Sequence, residues 1–306
     1  MSVRSSASQP KRRFLHEWRR GETLAAWLFM LPALIGFVVF FGFPAVRGFY
    51  LGLTEWNLLK EPEYIGLENY RTLLQDDDFW HSMWVTLYYV LLNIPLQTVL
   101  ALVIAVVFDR FVRGSGWRSL LLLPWLMPNV VVALLFLWIL DPGLGIVNEF
   151  FDAVGLPGQS FLGSVDQAMP SIAGINIWRY VGYTALLLIA GMQRIPRDLY
   201  DAGALDGASE VKMFRDITLP LLRPIMVFVL ITSIVGSFQI FDTIAVTTSG
   251  GPVDATRVIY WFIYQEAFER FNFGYASAAS IILFVILVAV SLVQLRLLRA
   301  NESDLS

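Results

Sequence analysis

Five side chains between positions 176 and 184 are spaced to act together. Asn176, Arg179, Tyr180, Tyr183 and Thr184 stand at offsets 0, 3, 4, 7 and 8, one face of an α-helix. They offer an amide, a guanidinium, two phenols and a hydroxyl. Such groups hydrogen-bond and stack; they do not form a hydrolytic constellation. The surrounding run is apolar enough to cross a bilayer. An Arg near the middle of such a run costs at least about 2.5–3.5 kcal/mol on insertion scales, so Arg179 should face a cavity or a partner. A weaker stripe, Thr232, Gly236, Gln239 and Thr243, follows, with Asp242 near the end of its run. Asn129 sits near the middle of another run. These groups either line a hydrophilic pathway or bond helix to helix. Asn93 and Gln97 flank Pro95 and fit the second role better.

Other chemistry is poorly supported. The chain has no Cys, which removes thiolate metal sites, disulfides and Cys nucleophiles. Its two His, His16 and His81, are far apart in sequence, so no His-based metal site or triad is expected. No Gly-x-x-x-x-Gly-Lys-Ser/Thr run exists, and Gly143-Leu144-Gly145 reads as a turn. A membrane-bound enzyme would need His, Asp or Glu clustered at one membrane face, and none is evident. An ion-coupled transporter often carries Asp or Glu within its spans; here Asp109, Asp141 and Asp242 lie at span ends.

The elements that must position these residues are membrane spans. Of 306 residues, 57% are hydrophobic and 15% charged, and the mean hydropathy is +0.62. Soluble domains are about 45–50% apolar and about 25% charged. Six apolar runs are expected to be helices: 24–46, 84–108, 119–140, 168–193, 221–243 and 275–298. Each crosses a hydrocarbon core of about 30 Å with some tilt, and backbone groups in lipid require internal partners. The first run is too long for a signal-peptide core and reads as a retained span. The fold class is therefore all-α and polytopic.

Charge sets the orientation. Sixteen of the 22 Lys and Arg fall in the N-terminal tail, the loops after spans 2 and 4, and the C-terminus. The positive-inside rule then puts both termini in the cytoplasm. The opposite loops are acidic, with Glu55, Glu61, Glu63, Glu68, Asp76, Asp77 and Asp78 in the first. Trp27, Trp56, Trp84 and Trp117 suit interfacial anchoring. Residues 1–23 read as a basic tail and 299–306 as a short one. The stretch from Lys11 to Glu22 fits either a short interfacial helix or an unstructured tail.

The connection 194–223 is punctuated beyond the needs of a linker. Asp198 can cap a helix from Leu199 to Leu205, and Gly207 ends or bends it. Ser209 can cap a second short helix, with Glu210 in its first turn. Pro220 and Pro224 mark re-entry into the membrane.

Within it, Asp201-Ala202-Gly203, three residues, Gly207, nine residues, Ile217, Thr218 and Leu219-Pro220 resembles the cytoplasmic signature of permease subunits of binding-protein-dependent ABC importers. Asp201 stands where the signature has Glu, and Gly203 where it has Ala, which weakens the helix by about 1 kcal/mol. The resemblance extends to Tyr64-Ile65-Gly66-Leu67-Glu68-Asn69-Tyr70, Leu122-Leu123-Pro124-Trp125, Ser249-Gly250-Gly251-Pro252 and Phe273-Gly274-Tyr275. It points to six-span carbohydrate permeases, with glycerol-3-phosphate or another polar solute as the alternative.

The resemblance implies a translocation path shared with a second, homologous permease. It implies no cofactor here, ATP being bound by a cytoplasmic ATPase dimer, and a solute-binding protein docking outside. It implies a prokaryotic cell membrane and no nucleic-acid partner. Asp201, Gly207, Val211, Met213, Phe214, Ile217, Leu219 and Pro220 would form the ATPase-coupling segment, with Val211, Met213 and Phe214 as apolar anchors and Lys212, Arg215 and Asp216 as a polar rim. Asn129, Asn176, Arg179, Tyr180, Tyr183 and Gln239 would line the solute pathway.

Overall fold

A computed structural model describes residues 11–111 and 114–297. The expectations for residues 1–10 and the 299–306 tail fall outside them. The helices are α1 (Lys11–Phe37), α2 (Phe43–Leu51), α3 (Glu68–Leu74), α4 (Asp77–Phe111), α5 (Ser115–Leu126), α6 (Asn129–Ile139), α7 (Ile146–Ala153) and α8 (Ala168–Met192). They continue as α9 (Arg197–Leu205), α10 (Glu210–Met213), α11 (Leu219–Leu221), α12 (Arg223–Phe238), α13 (Asp242–Thr247), α14 (Ile259–Tyr264) and α15 (Phe273–Leu297). Two residues each of β1 (Thr54–Glu55) and β2 (Glu63–Tyr64) pair antiparallel.

Five stretches are long and apolar enough to cross a membrane: Thr23–Leu51, Asp77–Phe111, Ala168–Met192, Arg223–Thr247 and Phe273–Arg296. The sixth candidate is a bent pair, and here the expectation of one helix over 119–140 needs correcting. α5 and α6 meet at 89°. The cause is local: Met127 precedes Pro128 and takes extended backbone, φ −73° and ψ 138°, because a proline ring disfavours α geometry in the residue before it.

The span at 221–243 is likewise interrupted. α12 ends at Phe238, Phe241 adopts φ −141°, and α13 restarts at Asp242. Irregular backbone at membrane depth is tolerated where protein or a cavity satisfies it. The two breaks meet: Asn129 Nδ2 donates to Asp242 Oδ2 at 2.7 Å.

The core lies in two apolar clusters. One joins Leu73, Phe79, Tyr89, Ile172, Phe262 and Leu283, from α3, α4, α8, α14 and α15. The other joins Ala101, Ala105, Leu188, Ile189 and Leu222, from α4, α8 and the α11–α12 junction. A buried polar seam links α4, α8 and α12. Asn176 donates to Asn93 Oδ1 at 3.0 Å, Asn93 to Ser237 Oγ at 3.1 Å, and Gln97 to Thr184 Oγ1 at 3.0 Å. This is the helix-to-helix bonding expected of Asn93 and Gln97. The first span behaves differently, since none of its apolar window is buried.

Candidate functional site

A cavity of about 380 Å³ opens between the two broken spans and the middle of α8. Asn176, Tyr180, Tyr183 and Thr184 line it from α8, because their spacing puts them on one face. Asn129 enters at the start of α6, and Gln239 and Asp242 from the break between α12 and α13. Ser233, Ser237 and Gln97 complete much of the polar wall. Tyr183 is held in place by stacking on Trp125, with centroids 4.7 Å apart and planes 10° from parallel. The lining therefore offers amides, hydroxyls and a carboxylate for hydrogen bonds, and flat rings for stacking.

Arg179 is placed elsewhere than on the pathway wall expected for it. Its Nη2 and Nε donate to the Met127 carbonyl at 2.7 and 3.2 Å, and Nη2 also reaches the Trp125 carbonyl at 3.4 Å. Nη1 donates to the Tyr180 hydroxyl at 2.8 Å. The guanidinium thus satisfies carbonyls that the Met127–Pro128 break removes from helical bonding. Arg179→Ala should lower the yield and thermal stability of folded protein by about 1–3 kcal/mol, the cost of stranding such acceptors. Solute transport per folded copy should change little; a transport loss at full stability would restore Arg179 to the pathway.

The second feature is the 194–223 segment. The first helix starts at Arg197 with Pro196 at its cap, so Asp198 makes no capping bond and sits in the first turn, a correction to the expected start. A carboxylate there still favours the positive helix end. The helix closes as a Schellman motif: Gly207 N donates to Ala204 O at 3.1 Å and Ala208 N to Gly203 O at 2.9 Å. Gly207 takes φ +72°, the left-handed geometry that glycine adopts without a Cβ penalty. Ser209 Oγ accepts from Lys212 N at 3.4 Å, as an N-cap should.

Around that turn the apolar residues divide. Val211 is 77% exposed and Leu205 89%. Met213 and Phe214 are half-buried and line a groove with Asp201, Tyr200 and the α4 end at Asp109 and Arg110. Met213 packs on Gly203, where a Cβ would stand 3.5 Å from its Cγ. Ile217 packs against the second core cluster, while Leu219 and Pro220 are exposed at α11. Glu210 pairs with Arg110, and Tyr200 bonds Thr218 at 2.8 Å. On the rim, the hydrogen bond from Arg215 holds the Asp216 carboxyl below its ordinary range. Leu205 was not foreseen as an outward apolar group; a large side chain directly before the helix-ending Asp206-Gly207 turn is the signal for it.

A family model described as "Binding-protein-dependent transport system inner membrane component" matches residues 82–302. The chain belongs to this family. It resembles the "Trehalose/maltose transport system permease protein MalF" of Thermococcus litoralis, at 32% identity over 90% of this chain and 94% of that one. It also resembles the "sn-glycerol-3-phosphate transport system permease protein UgpA" of Pectobacterium atrosepticum, at 30% identity over 89% and 94%. A crystal structure of a bacterial ABC transporter involved in the import of the acidic polysaccharide alginate superposes with a TM-score of 0.80. Identity there is 25%, over 95% of this chain and 100% of that one. This inner membrane component is thus a multi-pass permease subunit.

Proposed function

We propose that this permease forms half of the translocation path of an ABC importer for a carbohydrate in a prokaryotic cell membrane. The observation that carries the reading is the cavity between two broken spans, walled by amides, hydroxyls and phenols. Discontinuous helices at a midplane site are a recurrent way to bind polar solutes in transporters. A second homologous permease supplies the other half, and a solute-binding protein delivers the solute to the face bearing β1, β2 and α3. The 194–223 segment faces the cytoplasm, as do both termini, in keeping with the Lys and Arg asymmetry. A cytoplasmic ATPase docks on it through Leu205 and Val211 and drives alternating access.

The reading is supported by the signature spacing and by what the relatives' names say of them. Its test is reconstitution of the chain with a partner permease, an ATPase and a binding protein from the same organism. Uptake should require ATP and the binding protein together. Uptake that runs on an ion gradient without ATP would sink the reading.

A further inference from the structure

The segment between the bent pair and α8 holds a helix with an uncovered face. Ile146, Phe150 and the C-cap residue Val154 stand at offsets 0, 4 and 8, on one edge of α7. All three are more than half exposed, as are Leu144 and Leu156 just beyond the two ends. A second edge is acidic, with Glu149 and Asp152 both exposed. The remaining face is packed: Asn148 is buried, and the Phe151 ring lies 6.1 Å from that of Phe161.

Hydrogen bonds fix the height of this helix. Gly145 N donates to Asp141 O at 3.0 Å, and a Cβ on Gly145 would stand 2.6 Å from the Ile139 carbonyl oxygen. α7 therefore starts hard against the end of α6. Asn148 Nδ2 donates to the carbonyls of Asp141, Pro142 and Gln159 at 3.2, 3.3 and 2.9 Å, and its Oδ1 accepts from Gln159 N at 2.8 Å. The Gln159 side chain accepts in turn from Gln167 Nε2 at 2.6 Å, and Gln167 is the N-cap of α8. α7 is thus pinned to the ends of two membrane-crossing elements, opposite the end of α8 that leads to 194–223.

We propose that α7 is an interfacial anchor, its Ile146, Phe150 and Val154 edge sunk between the headgroups and acyl chains of the leaflet at that end of the bundle. The inference needs α6 and α8 to cross a membrane and nothing about the solute. Amphipathic helices lie in the bilayer plane in this manner. The apolar edge continues an exposed apolar row on α6, Val131, Leu134 and Trp138, and Trp is a residue type that favours the headgroup level. With that edge down, Asp152 is turned toward water. No Lys, Arg or His stands between Leu140 and Trp178, so attraction to anionic headgroups plays no part and apolar burial carries the contact. The bilayer then holds the far end of α6 at a fixed depth, as Arg179 holds its near end through the Met127 carbonyl.

The native chain is free of Cys, so single nitroxide labels can be placed without background. Ile146→Cys, Phe150→Cys and Val154→Cys report the apolar edge, and Glu149→Cys and Asp152→Cys the acidic one. All five positions are exposed, which leaves Asn148 and Phe151 on the packed face undisturbed. The full chain, purified with the native partners it retains, is placed in phosphatidylcholine nanodiscs. Electron paramagnetic resonance then measures collision of each label with oxygen, which concentrates in acyl chains, and with a polar nickel chelate. The oxygen-to-nickel ratio should be severalfold higher on the apolar edge than on the acidic edge. Equal ratios, or a higher ratio on the acidic edge, would overturn the proposal. Labels on the apolar edge that neither reagent reaches would overturn it too, because a protein partner would then cover the face.

Discussion

Replacing Gly182 by Ala should leave little folded protein. A Cβ at this position would lie 2.0 Å from the Leu121 carbonyl oxygen and 2.8 Å from its carbon. Both are backbone atoms, so no rotamer change relieves the clash. α5 would have to move off α8. The Trp125–Tyr183 stack and the Arg179 bonds to Met127, which span that same crossing, would go with it. Helix propensity pulls the other way, since Ala is favoured over Gly by about 1 kcal/mol. Overpacking against backbone costs about 3 kcal/mol or more, so the steric term wins. The thermal midpoint of the detergent-extracted protein and its monodisperse fraction measure the effect. Gly174→Ala on the same helix meets nothing within 4 Å and should fold normally. Equal stability of the two variants would mean that the close crossing does not exist.

The second large effect concerns coupling. Leu205→Asp together with Val211→Asp should abolish binding-protein-stimulated ATP hydrolysis, a loss of tenfold or more. Both side chains project from the Gly207 turn and contribute nothing to the core, at 89% and 77% exposure. Their replacement leaves the Schellman motif and the Ser209 cap intact, so the inserted permease should keep its thermal midpoint. Burying a pair of apolar side chains at an interface is worth about 1.5–3 kcal/mol each, and a carboxylate in the same place adds a desolvation cost. Co-purification of the ATPase should fall in parallel. Full hydrolysis with normal co-purification would place the docking contact elsewhere on the chain.

The spans themselves were legible because their signal is sustained over twenty residues: 168–193 was expected and Ala168–Met192 is observed. Of the six residues assigned to the pathway wall, Asn129, Asn176, Tyr180, Tyr183 and Gln239 come together in one cavity. Periodicity found the three on α8 and Gln239 on the weaker stripe, and a position near the middle of its run found Asn129. Arg179 shows what periodicity cannot decide. Offset 3 on the stripe gives a direction, but the long side chain reaches the Met127 carbonyl and the Tyr180 hydroxyl. The bend that recruits it lies at Met127-Pro128, and hydropathy, continuous through 119–140, gives no sign of it. The partner of Asn129 was hidden for another reason. Asp242 lies 113 positions away, and no local pattern encodes a meeting of two interrupted helices.

The same interrupted helices bear on how an unassembled copy fares in the bilayer. Gln239 and Thr232 are exposed on the isolated chain, and the Gln239 amide has no side-chain partner among the described residues. The first span is unburied too, but it is apolar, and acyl chains solvate it as well as another helix would. An orphan subunit is therefore betrayed by polarity rather than by greasiness, the reverse of a soluble subunit that has lost its mate. On the proposed function, surveillance of membrane assembly would have the open half-cavity to recognise, and pairing with a second polar wall would remove the mark.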